Sequence, residues 1–315
     1  MSQTPLEHGL AGHPSMMSRE ELSLLFSLAR DVYSGQGIIV DAGVFLGAST
    51  LCFGHGLRAS VKRAIKVKRS YKLIWSYDLC VFNEGMLRQL ARPKLARMLE
   101  GAQYHSGESF EPLLRRMLKD VEDLVDLQVC DVLTARMPEG EKVEIAFLDI
   151  LKTPEIESHL FRSLYPKMIP GVSIVVQQDY FFERLPYIKI RQERLAPFFD
   201  YLGAVGPTAV FRLREAIPQA YLEEEPAVSL PIEEKFRLID QAAERVTDPG
   251  RKAMTALCKV DIALSDQGSG AAKAVLDAVK EQHSAAFSAS RTGTDERSVY
   301  LQKVLRKVGK RISGE

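Results

Sequence analysis

The most constraining feature of the sequence is the stretch from Gly37 to Thr50, where an apolar run ends abruptly in an aspartate and two glycines (GIIVDAGVFLGAST). Ile38 to Val40 predict a buried strand, and Gly43 and Gly47 predict a tight turn that leads into a helix. Such a turn lets the backbone approach a ligand closely, and the helix start offers free N–H groups. Asp41 then lies at the carboxyl end of the strand, where open α/β sheets bind ligands. A carboxylate there suits a ribose or an amine and disfavours a phosphate.

The glycine spacing alone is also compatible with the strand-to-helix turn of any α/β protein. The stretch lacks the G-x-G-x-x-G pattern of dinucleotide-binding proteins and the G-x-x-x-x-G-K-[ST] pattern of P-loops. Its acid precedes the glycines, whereas the dinucleotide pattern places an acid ~20 residues after them. This order resembles the first motif of class I S-adenosylmethionine-dependent methyltransferases.

Composition narrows the class of protein. The chain has 315 residues, 46% of them hydrophobic and 26% charged, which is typical of one large soluble domain or of a domain with an appendage. The net charge of +1 gives no reason to expect nucleic acid or an anionic membrane as partner. No apolar run approaches the ~20 residues of a membrane span, and residues 1–17 form a polar leader without a signal core. The 4 cysteines are scattered, which favours reduced thiols in a cytoplasmic protein.

An aspartate follows each of five predicted strands, at 38–40, 73–77, 127–130, 143–148 and 172–176. The five acids are Asp41, Asp78, Asp131, Asp149 and Asp179. Asp78 is placed to accept hydrogen bonds from the two hydroxyls of a ribose, although an aspartate in that position also caps helices. Asp131 could meet the amine of an adenine or cap a turn.

Helical patterns and turns divide the chain into three parts. A capping box at Ser18–Glu21 begins a helix through about Tyr33, and further helices are predicted at 49–60, 84–100, 108–125 and 153–164. A hairpin at 203–213 closes the predicted sheet. Helices at 231–245, 251–264 and 271–285 and a basic tail follow. We therefore predict a leader (1–17), an α/β domain (18–215) and a helical C-terminal extension (216–315), whose apolar helix faces could form a homo-oligomer contact.

The basic cluster at 62–72 could hold phosphate, but a solvated loop or helix end is favoured.

Four strings, VDAGVFLGAST, WSYD, FLDI and IPGVSIVVQQDY, resemble the macrocin-type sugar O-methyltransferases, a class I S-adenosylmethionine-dependent family. The resemblance covers roughly residues 20–213. It implies a Rossmann-like, mostly parallel sheet with an antiparallel edge hairpin, here followed by the helical extension. It also implies S-adenosylmethionine as cofactor, with Gly43, Val44, Gly47 and Ser49 in the turn around its methionine part. Asp41 would then lie near its amino group, Asp78 on its ribose and Asp131 near its adenine.

Members of that family also carry a divalent metal on acids that follow the fourth and fifth strands. Asp149 and Asp179 match two of those positions, whereas Leu151 and Gln178 stand where the family commonly has further acids. The resemblance therefore implies Mg²⁺ held by Asp149, Asp179 and the side-chain oxygen of Gln178, with a metal-free site as the alternative.

The function expected from these residues is O-methylation of a small polar acceptor such as a sugar. Asp149 is the first candidate for the base, Asp179 is expected to converge with it on the acceptor, and His105 and His159 are further candidates. A methyltransferase-fold protein that only binds or acts as a scaffold is the alternative that the missing acids at 151 and 178 favour. A nicotinamide or nucleotide-sugar enzyme is disfavoured by the missing G-x-G-x-x-G.

Overall fold

The computed structural model of the chain describes residues 10, 13, 15–61, 72–90, 103–293 and 296–314. The basic cluster at 62–72, apart from Lys72, and the second half of the helix predicted at 84–100 lie outside these residues. Of the leader, Leu10, His13 and residues 15–17 are described.

Seven strands form one sheet. They are β1 (Ile38–Ala42), β2 (Ile74–Asp78), β3 (Val125–Val129), β4 (Val143–Leu148), β5 (Ile174–Gln177), β6 (Phe199–Val205) and β7 (Thr208–Leu213). Their order is β3-β2-β1-β4-β5-β7-β6. β1 to β5 are parallel to their neighbours, and β7 pairs antiparallel with both β5 and β6. This is the sheet of class I methyltransferases, so the predicted fold class is confirmed.

The central strands are buried on both faces, as the apolar runs in the sequence require. Ile38 and Val40 pack into the core on one face of β1, whereas Ile39 packs into the core on the other. All residues of β1, β4 and β5 are buried. The carboxyl ends of the four parallel strands at the centre therefore open onto one edge of the sheet.

Helices in the first part of the chain cover both faces of this sheet. They are α1 (Arg19–Ser27), α2 (Ala48–Ala59), α3 (Glu84–Leu90), α4 (Glu111–Met117), α5 (Pro154–Leu164) and α6 (Pro186–Arg194). The predicted capping box begins α1, where Ser18 Oγ accepts from Glu21 N and Ser18 N donates to Glu21 Oε2. The predicted Thr153 cap begins α5, where Thr153 Oγ1 accepts from Ile156 N.

Several element boundaries differ from the sequence prediction. The helix predicted at 108–125 is the shorter α4, followed by a 3-10 turn at Lys119–Val121, and β3 then begins at Val125 instead of 127. The apolar spacing that suggested one long helix continues through the 3-10 turn, because Leu118 and Val121 are also buried. The hairpin begins at Phe199 instead of Gly203.

The C-terminal extension consists of helices: α7 (Gln219–Leu222), α8 (Ile232–Glu244), α9 (Pro249–Ala256), α10 (Cys258–Gln267), α11 (Ser269–Gln282), α12 (Ser284–Thr292) and α13 (Glu296–Ser313). The basic tail, for which no helix was predicted, forms most of α13. Helices α9 to α13 share a core of their own, but α8 and α10 also supply Leu238, Ile239, Cys258 and Ile262 to the core beneath the sheet. The boundary at 215/216 and the homo-oligomer contact stay predictions. Within the described residues, no helix is long and apolar enough to cross a membrane.

Because α8 packs into the core of the sheet, we expect a cavity in α8 to destabilise the whole α/β domain. Leu238 is 2% exposed, and Leu238→Ala should lower the free energy of unfolding by about 2–5 kcal/mol in urea titrations. Val228→Ala is the matched control because Val228 is 49% exposed, and it should change stability by less than about 0.5 kcal/mol. Equal effects of the two substitutions would contradict the shared core.

Candidate active site

The glycine turn after β1 lies close to the segment that follows β4, because Gly43 has no side chain. Gly43 has a φ of +93°, and a Cβ there would lie 2.7 Å from the backbone carbonyl of Asp149. Asp149 N donates to Ala42 O over 2.8 Å. Gly47 also has a positive φ of +89°, and its missing Cβ faces Leu118 Cδ2 at 2.8 Å. Packing against α4 is thus a structural reason for glycine at 47, and a substitution there would disturb the fold as well as any ligand.

Asp41 is fully buried at the end of β1, with 0% of its surface exposed. Its Oδ2 accepts hydrogen bonds from Ser49 Oγ at 2.9 Å and Thr50 Oγ1 at 2.6 Å. Its Oδ1 is buried and has no partner in the part of the chain that the structure describes. Burial raises the pKa of Asp41 to about 7, although the two hydroxyl donors oppose the shift. Buried polar atoms normally have a partner, so Oδ1 is a position where a ligand donor would be stabilised.

Asp78 connects the end of β2 to the glycine turn. Its Oδ2 accepts from Phe45 N and its Oδ1 from Cys80 N, each at 2.8 Å. Phe45 and Cys80 both have positive φ, 48° and 55°, which is uncommon for residues other than glycine. The carboxylate thus holds two strained loops in place. Because an ionised carboxylate has about four acceptor sites, it can still accept from ligand hydroxyls.

Three apolar side chains are exposed at the end of β3 and in the segments that follow β2 and β3. Leu79, Val129 and Leu133 expose 55%, 36% and 41% of their surfaces at the carboxyl ends of β2 and β3. Cys130 N donates to Asp78 O, so the segment after β3 lies against the end of β2. Asp131 is exposed there, and its Oδ1 accepts from Leu133 N at 2.9 Å, as in a turn cap. Together these residues form an apolar rim with one acidic side chain.

Asp149 and Asp179 meet at a shared cation, which is Lys152. Lys152 Nζ lies 2.7 Å from Asp149 Oδ1 and 2.7 Å from Asp179 Oδ2. Asp179 follows β5 in a left-handed backbone conformation, with a φ of 56°. The side chains of Asp149, Asp179 and Lys152 are 24%, 32% and 48% exposed, so a ligand can reach all three.

Burial and the neighbouring charges shift the pKa values of Asp149 and Lys152. Burial raises the pKa of Asp149 to about 6; the ammonium of Lys152 opposes this shift and the carboxylate of Asp179 adds to it. Burial alone would lower the pKa of Lys152, but the two carboxylates outweigh burial and raise it. The cluster thus joins a carboxyl whose pKa is near neutrality to a firmly protonated amine.

The donor set does not fit the Mg²⁺ ion that the resemblance implies. Lys152 already binds one oxygen of each carboxylate, and the Gln178 side-chain oxygen contacts Thr208 Oγ1 instead of facing the pair. Among the residues with described positions, no group of three or more His, Cys, Asp and Glu side chains could hold a metal ion. A metal ion would have to displace Lys152 in order to bind both carboxylates.

Sequence reasoning missed Lys152 and a second group at this edge. Glu21, interpreted only as the capping residue of α1, also accepts from Thr208 Oγ1 at 2.7 Å through Oε1. Thr208 in turn contacts Gln178. The only sequence signal for Lys152 was its position three residues after Asp149; nothing local pointed to the Glu21–Thr208 contact.

The two histidines lie apart from the carboxylate pair. His105 is exposed in the segment before α4, where its backbone N donates to Glu108 Oε2, and this segment pairs with Phe82 after β2. His159 lies on α5 and lines a groove with Pro226 and Val228. The structure places neither ring in hydrogen-bond contact with Asp149 or Asp179.

The C-terminal extension holds the segment that follows β5. Arg311 of α13 contacts the buried Glu183 at 3.4 Å and Asp261 of α10 at 2.5 Å. Beneath this segment, the buried ammonium of Lys189 donates to Phe182 O and Leu185 O. Burial raises the pKa of Tyr300 in α13 to about 12, and the charges of Glu183 and Asp179 add to the shift. Helix α13 therefore packs against the segment that follows β5.

Comparison with known proteins gives only remote likenesses. No protein-family model matches the chain, and no curated protein is a detectable relative. An S-adenosylmethionine-dependent O-methyltransferase from Thermotoga maritima is 15% identical with a TM-score of 0.37, over 69% of this chain and 73% of that one. A TDP-rhamnose 3′-O-methyltransferase of calicheamicin biosynthesis is 17% identical with a TM-score of 0.37, over 66% and 92%. The 23S rRNA methyltransferase ErmE is 14% identical with a TM-score of 0.33, over 82% and 90%.

The raised pKa of Asp41 predicts a pH-dependent stability. Between about pH 4 and about pH 7 the folded chain keeps a proton on Asp41 that the unfolded chain loses, so ionisation destabilises the fold as pH rises. Asp41→Asn keeps an acceptor for Ser49 and Thr50 without this charge. Relative to the parent, its free energy of unfolding should rise by up to about 1.4 kcal/mol per pH unit over that range, and level off above about pH 7.

Urea titrations across that pH range would measure the effect. Asp123→Asn is the matched control, because Asp123 is 65% exposed, and its curve should stay parallel to that of the parent. An Asp41→Asn curve equally parallel to the parent would show that Asp41 is not the buried acid described.

Proposed function

We propose that the protein is an S-adenosylmethionine-dependent methyltransferase that methylates a hydroxyl of a small polar acceptor such as a sugar. The observation that carries this proposal is the fully buried Oδ1 of Asp41, which has no partner among the described residues, at the carboxyl edge of a class I methyltransferase sheet. When the carboxyl is ionised, that atom requires a donor, and the amino group of the cofactor's methionine part is a cationic donor of suitable size.

The edge around β1, β2 and β3 supports the cofactor position. Asp78 retains acceptor capacity for ribose hydroxyls after binding Phe45 N and Cys80 N. The exposed Leu79, Val129 and Leu133 would be covered by the flat, apolar faces of an adenine, and Asp131 lies on the same rim. The turn at Gly43, Val44, Gly47 and Ser49 would surround the methionine part. These placements are the ones that the macrocin-type resemblance implies.

The edge around β4 and β5 supports the acceptor position. The cofactor supplies a methyl group that is already activated on a sulfonium, so the chain has to orient the acceptor oxygen and remove its proton. Asp149 is the proton acceptor in this proposal, since its raised pKa matches a group that gains and loses a proton near neutrality. Lys152, which Asp179 also binds, holds the carboxylate of Asp149, and the ammonium can donate to the acceptor oxygen.

We expect Lys152 to take the place of a divalent cation at this site. An ammonium between two carboxylates supplies the positive charge that would otherwise come from Mg²⁺, and it does so without a third carboxylate. Gln178 is then a structural partner of Thr208 and not a metal ligand.

Cofactor binding can be tested without knowing the acceptor. In calorimetry, the parent should bind S-adenosylmethionine and S-adenosylhomocysteine but not NAD. Asp41→Asn and Asp78→Asn should each weaken binding by about tenfold or more, because each removes a hydrogen bond to a charged group. Asp123→Asn, far out on the surface, should bind like the parent. A parent that binds neither sulfur ligand, or variants that bind as tightly as the parent, would overturn the placement.

Turnover can be followed as S-adenosylhomocysteine formed with a panel of sugar acceptors. Asp149→Asn and Lys152→Met should each lower turnover by about a hundredfold or more while leaving S-adenosylmethionine affinity nearly unchanged. Lys152→Arg, which keeps the charge, should retain part of the activity. EDTA should not inhibit the parent. Inhibition by EDTA that Mg²⁺ reverses would show that a metal displaces Lys152, and full turnover by Asp149→Asn would exclude it as the base.

A binding or scaffold role is the second candidate. Lys152 neutralises both carboxylates, and such an ion pair can also be purely structural. A parent that binds S-adenosylmethionine tightly but forms no S-adenosylhomocysteine with any acceptor would favour this role.

A further inference from the structure

Helix α13 carries a cationic stripe along its exposed face. At 3.6 residues per turn, six exposed side chains fall within an arc of about 120°: Val299, Tyr300, Lys303, Arg306, Lys307 and Lys310. Tyr300 is 43% and Val299 54% exposed. The stripe is ~16 Å long at a rise of 1.5 Å per residue. It therefore joins a short aromatic and apolar end to a longer basic end.

The four cations of the stripe are not neutralised within the chain. Arg311, on the flank of the same helix, pairs with Asp261 and Glu183. Lys303, Arg306, Lys307 and Lys310 form no ion pair and no side-chain hydrogen bond with any residue in the described ranges. Their charges are therefore open to an external anion.

Positive charge is concentrated in this helix, as it is in the basic cluster at 62–72. From Glu296 to Ser313 the sequence has Arg or Lys at 297, 303, 306, 307, 310 and 311, and a single acid, Glu296. The whole chain has a net charge of only +1, so the remainder is net acidic. The expectation of no nucleic-acid partner was based on the net charge of the whole chain. That net charge does not show the positive potential along α13.

The burial of one face of α13 distinguishes between an anionic membrane and a nucleic acid as the polyanion that the stripe could bind. A helix that lies in a membrane surface inserts its apolar face into the lipid. Here Leu301, Val304 and Val308 are at most 3% exposed and pack into the core of the extension, so that face is not available. The exposed face offers cations about one helical turn apart with an aromatic ring at one end. Basic residues that follow a phosphate backbone, combined with a ring on which a base stacks, are the usual means of binding single-stranded nucleic acid.

We propose that the α13 stripe is a docking surface for single-stranded nucleic acid. The phosphates lie along Lys303, Arg306, Lys307 and Lys310, and a base stacks on Tyr300. A duplex would not offer an unstacked base to that ring. This proposal does not depend on the proposed methyl transfer, because the binding needs neither S-adenosylmethionine nor turnover.

The test is fluorescence anisotropy of the full chain with a labelled oligouridine of about 12 nucleotides, over about 50 to about 200 mM salt. If four phosphates are engaged, the logarithm of the parent's association constant should fall with the logarithm of salt concentration with a slope of about −3. Replacing the four cations (Lys303→Gln, Arg306→Gln, Lys307→Gln, Lys310→Gln) should weaken binding about tenfold or more and bring the slope near zero. Tyr300→Ala should weaken binding about tenfold with the slope unchanged, and Tyr300→Phe should restore it.

A control with the same change in net charge distinguishes an effect of the stripe on binding from an effect of the overall charge. Arg116, Lys119, Lys142 and Lys273 are exposed cations on other parts of the chain, and replacing these four by Gln should leave both affinity and slope close to those of the parent. Thermal melting and S-adenosylmethionine calorimetry of both quadruple variants should match the parent, since all eight side chains lie outside the candidate active site. A stripe variant that binds like the control would overturn the proposal, and so would a parent that binds phosphatidylserine vesicles but not the oligonucleotide.

Discussion

The contact on which the candidate site depends joins Gly43 to the backbone of Asp149. With no side chain at 43, the ends of β1 and β4 close on each other, and Asp149 N donates to Ala42 O. Asp41 is thereby brought into the electric field of Asp149, whose charge adds to the rise in the pKa of Asp41. The remaining groups are placed relative to this pair: Asp78 through the N–H of Phe45, and Asp179 through Lys152.

Four carboxylates along one edge of a sheet would repel one another unless each had a separate means of stabilisation. Asp78 accepts from two backbone N–H groups, and Asp41 from two hydroxyls while its pKa rises. Asp149 and Asp179 share one ammonium. These solutions differ in what they leave for a ligand: spare acceptor sites on Asp78, an unpartnered oxygen on Asp41, and a polarised pair over β4 and β5. The proposed division of the edge into a cofactor half and an acceptor half is based on this difference.

Local patterns were sufficient to predict the strands, the acids that follow them and the class of sheet, because apolar runs and strand-end polarity are encoded over a few residues. They could not reveal how the acids are paired. Lys152 and Asp179 are 27 residues apart, and Glu21 and Thr208 are 187 residues apart, so both contacts exist only after the chain has folded. Helix α13 was missed for another reason: its basic residues dominated the tail, although Leu301, Val304 and Val308 have helical spacing.

Within the described residues, the extension contacts the segment after β5 and the core beside it. Arg311, Cys258 and the core residues of α8 and α10 contact the segment after β5 or the core beside it, whereas Asp41, Asp78 and Asp131 are held by residues before position 134. The family resemblance also ends at residue 213, so it covers the strands of both proposed halves of the site but none of the helices of the extension. In the proposed function, an acceptor pocket built partly by the extension can differ from that of other class I sheets without any change at Asp41 or Gly43. This separation is the reason that the sequence motifs point to a cofactor and not to an acceptor.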